Sequence, residues 1–328
     1  MPEKTLIEAI RDSLRMEMEA DERIFIIGED VGPRGGVFRA TDGLHAQFGD
    51  LRVIDAPLAE SAIIGTAIGA AVNGMLPVAE IQFLDFIHPA MDQIMNEAAK
   101  IRYRTNGDFG VPITIRVPYG GGIHGALYHS QSIEAVFTHI PGLKVVAPID
   151  PHDAQGMLAE AIHDPDPVIF LEHKRAYRAL KAEVPNERYR TPLGKARVVR
   201  EGSDMTIISY GWYVQECIAA IDAYTAEQQA SIELLDLRSL RPLDTEAILA
   251  SVAKTGKVLI VHEASRFGGI GGEIAATIAE EAFSFLDGPV TRLAGPEIPA
   301  MPYAPSLERM SLQTADTIRA AIERLAAW

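Results

Sequence analysis

Short apolar runs alternate with predicted helices along most of this chain, and that alternation constrains the fold more than any other feature. Five runs in the first half are predicted to be buried strands, at 23–28, 78–83, 113–117, 143–147 and 168–171. Helices are predicted between them, for example at 89–103 and 151–163. Apolar strands separated by helices are typical of a mainly parallel sheet covered on both faces. The sequence therefore predicts an α/β protein.

The alternation lapses between Ala176 and about Gly202, where the chain is charged, extended and contains prolines. Beyond this segment, strands are predicted at 204–210, 231–236 and 257–262, with helices at 214–224, 244–254 and 272–283. At roughly 100 to 200 residues per domain, two domains are expected. We place the first at residues 1–185, a connector at 186–201 and a smaller α/β domain at 202–328.

Charge and cysteine content exclude several classes of protein. The 45 acidic and 30 basic residues give a net charge of −15, which repels nucleic-acid phosphates. The single cysteine, Cys217, excludes an internal disulfide framework and a cysteine-built zinc site, and suits a reducing cytoplasm. No secretory signal is recognised at the start of the chain. We expect a cytoplasmic protein that does not bind nucleic acid.

One uncharged stretch, Ser61–Ala79, has the length of a membrane span. Polar residues and glycines interrupt it, and Asn73-Gly74 followed by Pro77 predicts the end of a helix. We therefore expect a helix of a globular protein and no membrane segment.

The segment Asp55–Glu60 closes a predicted strand and opens that uncharged helix. An acidic residue at a helix start is favoured by the helix dipole, by about 0.3–1 kcal/mol, without any catalytic role. A functional interpretation rests on the small residues of the helix, which would let another backbone approach closely. A glutamate at such an interface would lose water and share a proton with a ring nitrogen of a bound cofactor. The pattern alone leaves both interpretations open.

Two further segments carry candidate binding residues. Residues 79–86 run off a strand into a turn, where ligand crevices form in parallel sheets. Phe83 and Phe86 there fit either the core or an aromatic platform for a cofactor ring. The glycine-dense segment 119–132 carries His124 and His129 without the partners of a metal site, and no G-x-S-x-G elbow is present. His129 is thus either a proton-transfer group or a structural histidine.

Several motifs together are more specific than any one of them. They are Gly28-Glu29-Asp30-Val31, Gly35-Gly36-Val37-Phe38-Arg39, Pro57-Leu58-Ala59-Glu60, Glu80-Ile81-Gln82-Phe83, Tyr128-His129-Ser130-Gln131-Ser132 and Pro141-Gly142-Leu143-Lys144-Val145-Val146. In this combination the chain resembles the beta subunit of the thiamine-dependent 2-oxoacid dehydrogenases over essentially its whole length. The segments 35–39 and 126–132 are more similar to the branched-chain type than to the pyruvate type.

This resemblance implies a transketolase-like fold, with a pyrimidine-binding domain followed by a smaller transketolase C-terminal-like domain. It also implies a heterotetramer with an alpha subunit, and acyl transfer to the lipoyl domain of an acyltransferase core. Glu60 would form a hydrogen bond with the N1′ nitrogen of thiamine diphosphate, and Leu58 and Gln82 would border the aminopyrimidine ring. Phe86 would stack near the ring at a position where the family usually has tyrosine. His129 would face the 2-oxoacid substrate and assist acyl transfer.

The resemblance further implies that part of the cofactor site lies on another chain. No Gly-Asp-Gly motif for Mg²⁺ and diphosphate occurs here, so the alpha subunit would hold both. A structural potassium ion would lie at the backbone of Ile113 and Ala161 with Asp164 and Asp166. The alternatives are a pyruvate or acetoin dehydrogenase beta subunit and a non-catalytic scaffold subunit. A single-chain transketolase or deoxyxylulose-phosphate synthase is disfavoured by the missing motif and by length.

Overall fold

A computed structural model describes all 328 residues, which form two compact units. The first unit comprises Met1–Tyr119 and Val136–Leu193, and the second comprises Gly120–Ala135 and Gly194–Trp328. Residues 120–135 thus group with the second unit although the first unit surrounds them in sequence. The contiguous boundaries expected from the sequence do not include this excursion.

The first unit is built on a parallel sheet. Its elements, with α5 beginning in the excursion, are β1 (Glu3–Thr5), α1 (Leu6–Ala20), β2 (Ile24–Glu29), α2 (Leu44–Phe48), β3 (Val53–Ala56), α3 (Glu60–Val72), β4 (Leu76–Glu80), α4 (Ile101–Arg104), β5 (Thr114–Tyr119), α5 (Glu134–Thr138), β6 (Lys144–Val146), α6 (Pro151–Ile162), β7 (Val168–His173), α7 (Ala176–Ala179) and β8 (Lys181–Glu183). Parallel pairing gives the order β6-β7-β5-β4-β2-β3. Every residue of β4, β5 and β7 is buried. Such burial is what uninterrupted apolar strands require, and the predicted α/β class is confirmed.

The second unit is a smaller α/β body. Its further elements are β9 (Arg197–Arg200), β10 (Met205–Ser209), α8 (Tyr213–Gln228), β11 (Ile232–Asp236), β12 (Ser239–Arg241), α9 (Thr245–Thr255), β13 (Val258–Ser265), α10 (Gly271–Glu281), β14 (Thr291–Gly295), α11 (Pro305–Ser311) and α12 (Ala315–Ala326). The sheet order is β14-β13-β10-β11-β9, with β9 as an antiparallel edge strand.

Helix α3 ends where the sequence predicts. The side chain of Asn73 donates to the carbonyl of Gly69 at 2.8 Å, and Gly74 takes a left-handed φ of +90° that glycine adopts without strain. None of the helices has both the length and the apolar character needed to cross a membrane.

The helix predicted at 89–103 is wrong as a continuous element. The segment forms a 3₁₀ turn at His88–Ala90, a π-helical turn at Gln93–Ala98 and then α4. The amide of Ala99 donates to the carbonyl of Ile94 at 3.0 Å, five residues back. Because this wider turn has one residue more than an α-helical turn, Ile94 and Ala99 both stay buried.

A buried carboxylate, Glu17, fastens α1 to the rest of the first unit. Its side chain, with the residue 1% exposed, lies 2.7 Å from Nε2 of His163 and accepts from Nε and Nη2 of Arg188 at 2.9 and 2.7 Å. Burial alone would raise the pKa of Glu17, but the hydrogen bonds from His163 and Arg188 outweigh it and lower the pKa to about 2. Ionised Glu17 therefore stabilises the folded chain.

Removing this charge is expected to destabilise the chain in a pH-dependent way. Glu17→Gln should lower the free energy of unfolding by about 1.5–3 kcal/mol at pH 7, because hydrogen bonds to a charged group are lost. Since the folded pKa lies below the ordinary 4.5, the stabilisation is complete above pH 4.5 and disappears as the pH falls towards 2. Urea unfolding of the full chain, followed by circular dichroism at several pH values, measures this difference.

The matched control is Glu19→Gln, which removes an exposed ion pair with Arg15 on the same helix and should cost less than about 1 kcal/mol. Equal losses for the two variants, or a Glu17→Gln loss that persists at acidic pH, would contradict the assignment.

Candidate active site

The carboxyl edge of the first sheet gathers the loops that carry the predicted binding residues. In the register of the sheet, Gly28 on β2 pairs with Asp55 on β3 and with Glu80 on β4. The three strands are parallel, so the segments that follow them leave the sheet at the same edge. Leu58, Glu60, Gln82 and Phe86 all lie in or directly after these segments.

Glu60 is the first residue of α3. The preceding residue, Ala59, provides no side-chain cap, so the carboxylate of Glu60 lies at the positive end of an uncapped helix. Glu60 is half-buried, and the neighbouring Leu58 leaves 72% of its surface exposed. Single exposed apolar residues are common on protein surfaces, so the exposure of Leu58 leaves it accessible to a ligand without by itself indicating one.

Acidic side chains are concentrated around Glu60. Burial raises the pKa of Glu29 at the end of β2, and the charges of Asp30, Glu60 and Asp55 raise it further. Asp55 also accepts a hydrogen bond from the amide of Gly32 at 3.3 Å. A carboxyl group that is harder to ionise holds a proton closer to neutral pH. Sequence reasoning did not assign Glu29 a role, although Glu29 belongs to the motif Gly28-Glu29-Asp30-Val31.

Gln82 reaches across this edge from the segment after β4. Its side-chain amide donates to the carbonyl of Glu29 at 3.4 Å and to Oδ2 of Asp30 at 3.3 Å. The side chain therefore joins the segment after β4 to the end of β2.

Aromatic rings pack together in and around the segment that carries Gln82. The half-buried ring of Phe86 packs edge-to-face on Phe83 with centroids 5.6 Å apart, and Phe83 packs in the same way on Phe38 at 5.4 Å. Phe38 lies in turn 5.1 Å from the ring of Tyr177. Phe83 is buried and belongs to the core, whereas the partial exposure of Phe86 leaves ring surface for a ligand.

A buried ion network is connected to these aromatic rings through Tyr177. Arg116 on β5 is fully buried and donates to Glu80 on β4 at 2.6 Å, and twice to Glu172 on β7 at 2.7 Å. Tyr177 donates its hydroxyl to the same Glu172 at 2.6 Å. Burial raises the pKa of Glu80 although Arg116 opposes it, and both carboxylates raise the pKa of Arg116 against the effect of burial. Sequence reasoning missed the network because its members lie far apart in the chain.

His129 belongs to the second unit. It follows a short 3₁₀ turn at Ala126–Tyr128 and is half-buried. The surrounding loop is fixed to its own unit by Glu263 on β13, which accepts from the amide of Gly121 at 2.6 Å and from the hydroxyl of Ser132 at 2.7 Å.

The residues expected near potassium lie at the opposite, amino edge of the first sheet. Ile113 precedes β5, and Asp164 and Asp166 precede β7. Lys144 lies 2.5 Å from Asp164, and Arg102 forms an ion pair with Asp166. The carbonyls of Ile113 and Ala161 accept backbone hydrogen bonds at 2.9 and 3.2 Å. No group of three or more histidine, cysteine, aspartate or glutamate side chains forms a metal site anywhere in the chain.

Family models cover nearly the whole chain. The transketolase pyrimidine-binding domain matches residues 3–179, and the transketolase C-terminal domain matches residues 194–318. A solved structure described as a split gene transketolase, an inactive beta4 tetramer, superposes with a TM-score of 0.79 over 98% of both chains. With 23% identical residues, this likeness concerns the fold, and the transketolase-like fold expected from the sequence is confirmed.

Curated relatives are much more similar in sequence. The 2-oxoisovalerate dehydrogenase subunit beta of Bacillus subtilis (strain 168) is 55% identical over 98% of both chains. The pyruvate dehydrogenase E1 component subunit beta of Acholeplasma laidlawii is 49% identical over 90% of both chains, and that of Bacillus subtilis is 48% identical over 90% of this chain and 91% of the relative. With both transketolase domains matched in order, the chain belongs to the family of 2-oxoacid dehydrogenase beta subunits and is more similar to the branched-chain member than to these two pyruvate members.

Proposed function

We propose that this chain is the beta subunit of a thiamine diphosphate-dependent dehydrogenase that decarboxylates a branched-chain 2-oxoacid and passes the acyl group to a lipoyl domain. One observation carries the assignment of the site: Leu58, Glu60, Gln82 and Phe86 occupy one edge of the parallel sheet. Membership of the family and the greater identity to the 2-oxoisovalerate enzyme support the substrate class.

The residues at this edge fit the aminopyrimidine of thiamine diphosphate. Its ring is flat and largely apolar, with polar nitrogens, and the edge offers an exposed leucine, a partly exposed phenylalanine and a half-buried glutamate. When bound, this cofactor supplies the reactive carbon that 2-oxoacid decarboxylation needs. Glu60 holds and exchanges a proton at the N1′ position. Phe86 gives the ring an aromatic face without the hydroxyl of the tyrosine usual in the family.

Other parts of the cofactor site are assigned to a partner chain. An alpha subunit supplies the ligands of Mg²⁺ and the diphosphate, because this chain lacks the Gly-Asp-Gly motif. A face of α3 formed by Ala62, Gly65, Thr66 and Gly69 is exposed and carries only small side chains, which suits close packing against another chain. We infer a heterotetramer of two alpha and two beta subunits, which works in the cytoplasm with a lipoyl-bearing acyltransferase core.

Potassium binding is proposed for the amino edge of the sheet. The carboxylates of Asp164 and Asp166 are already paired with Lys144 and Arg102, so main-chain oxygens suit the ion better than these side chains. The carbonyl of Ile113 keeps a second lone pair beyond the hydrogen bond that it accepts, whereas the carbonyl of Ala161 is approached by the amides of both His163 and Asp164.

Pyruvate is the second candidate substrate, because pyruvate dehydrogenase beta subunits reach 49% identity. Co-expression with a candidate alpha subunit, followed by assays on 3-methyl-2-oxobutanoate, pyruvate and acetoin, distinguishes the substrates. We expect 3-methyl-2-oxobutanoate to give the highest kcat/KM and the chain alone to be inactive. Higher kcat/KM on pyruvate or acetoin would refute the branched-chain assignment. Activity of the chain alone would refute the shared site.

Glu60→Gln tests the cofactor role. The amide keeps the shape of the side chain but lacks a carboxyl group that can take up and release a proton, so decarboxylation should fall by about 100- to 10,000-fold while assembly persists. The assay is 2-oxoacid turnover with an artificial electron acceptor, after size-exclusion chromatography confirms the complex. Glu22→Gln, an exposed acid of the same unit, is the control and should keep wild-type turnover. Near-normal turnover of Glu60→Gln would exclude the role, and assembled complex that turns over without Glu60, Gln82 and Phe86 would favour a scaffold.

His129→Ala separates the two half-reactions. If His129 assists acyl transfer, its loss should reduce transfer to a lipoyl domain by about 100-fold or more, and decarboxylation by a smaller factor. The two rates are measured on one preparation, with His139→Ala as an exposed-histidine control. Equal losses in both assays would contradict a specific role in transfer.

A further inference from the structure

A second carboxylate besides Glu263, that of Glu308, organises the loop that carries His129. The loop, residues 120–132, follows β5 and is called here the histidine loop. Glu308 on α11 is 2% exposed, although it is an acidic residue on a helix near the end of the chain. Buried carboxylates persist where several donors satisfy them, so the partners of Glu308 show what it holds.

All three partners of Glu308 lie in the histidine loop. Its Oε1 accepts from the amides of Gly122 and His124 at 2.9 and 3.2 Å, and its Oε2 lies 2.6 Å from Nδ1 of His124. Backbone amides that converge on one anion form a nest, and bonds to a charged acceptor are stronger than neutral ones. Glu308 thus fixes the backbone of the loop as well as one of its side chains.

The turn that Glu308 holds is a strained one. His124 has a φ of +59° and Ala126 a φ of +54°, both in the left-handed region where a Cβ is unfavourable. Such residues keep this conformation only when the surroundings enforce it. The carboxylate of Glu308 holds the backbone of His124 in this conformation by accepting a hydrogen bond from its amide.

The strained turn is in direct contact with His129. A Cβ placed on Gly125 would lie 2.6 Å from the carbonyl oxygen and 2.8 Å from the Cβ of His129. The loop therefore folds back on itself so closely that residue 125 packs against the backbone of His129.

We propose that Glu308 is a positioning residue for His129, acting through the turn at 122–125. The catalytic consequence rests on the proposed function, in which His129 assists acyl transfer. The packing of Gly125 against His129 does not, because it is a contact within the second unit.

Histidine labelling tests the placement without any enzyme assay. In the full chain, diethyl pyrocarbonate should modify His129 about threefold faster or more in Glu308→Gln than in the wild type, because the turn that packs on it loosens. The exposed His139 should be modified at an unchanged rate, as measured by peptide mass spectrometry. An unchanged rate at His129 would overturn the proposal.

Acyl transfer tests the consequence in the assembled complex. Glu308→Gln should reduce transfer to a lipoyl domain by about tenfold or more, and by a larger factor than decarboxylation, because a small displacement of a reacting group is costly. Gly125→Ala should also reduce acyl transfer more than decarboxylation, because the added Cβ would press on His129 without touching Glu308. Glu297→Gln, an exposed acid of the same chain segment, should leave both rates unchanged.

The outcomes separate the two hypotheses. Faster labelling of His129 in an assembled complex that shows no 2-oxoacid activity even in the wild type would refute the proposed function and leave the positioning intact. Equal losses in both half-reactions for Glu308→Gln, together with a melting temperature lowered by more than about 5 °C, would mark it as a general stabiliser and refute positioning.

Discussion

The buried guanidinium of Arg116 is the interaction on which the carboxyl edge of the first sheet depends. It lies on the central strand β5 and binds carboxylates from both neighbouring strands, Glu80 on β4 and Glu172 on β7. Loss of one member of a fully buried network leaves a charge without compensation, which typically costs about 3–5 kcal/mol. The network therefore holds the three strands at fixed spacing, with Arg116 in the middle of β5 and Glu80 at the end of β4, two residues before Gln82.

Several acidic side chains lie close together at the same edge of the sheet. Glu29, Asp30, Asp55 and Glu60 come from the ends of adjacent strands and from the first turn of a helix. Burial and these neighbours raise the pKa of Glu29, so this carboxyl group is harder to ionise than one on the open surface.

The α/β fold could be predicted from the sequence because it depends on local pattern, whereas the roles of Glu60 and Gln82 follow from the resemblance and stay predictions. Apolar runs such as 113–117 identify strands, and parallel strands place Glu60 and Gln82 at a common edge. The interruption of the helix at 89–103 could not be predicted, because the π-turn reflects the packing of Ile94 and Ala99 in the core. The pairing of Arg116 with Glu172, and of Glu308 with the histidine loop, joins residues 56 and more than 180 positions apart. No local pattern records such contacts.

The excursion at 120–135 limits how this chain can be divided. The main chain passes from one unit to the other after Tyr119, returns after Ala135 and passes over again after Leu193. If the gene were split at the connector, residues 120–135 would remain on the amino-terminal fragment. They would then be separated from Glu263 and Glu308, which hold them by hydrogen bonds. If relatives exchanged only the carboxyl-terminal half, residues 120–135 of one protein would have to fit the residues at positions 263 and 308 of another. The two halves are therefore expected to be inherited together.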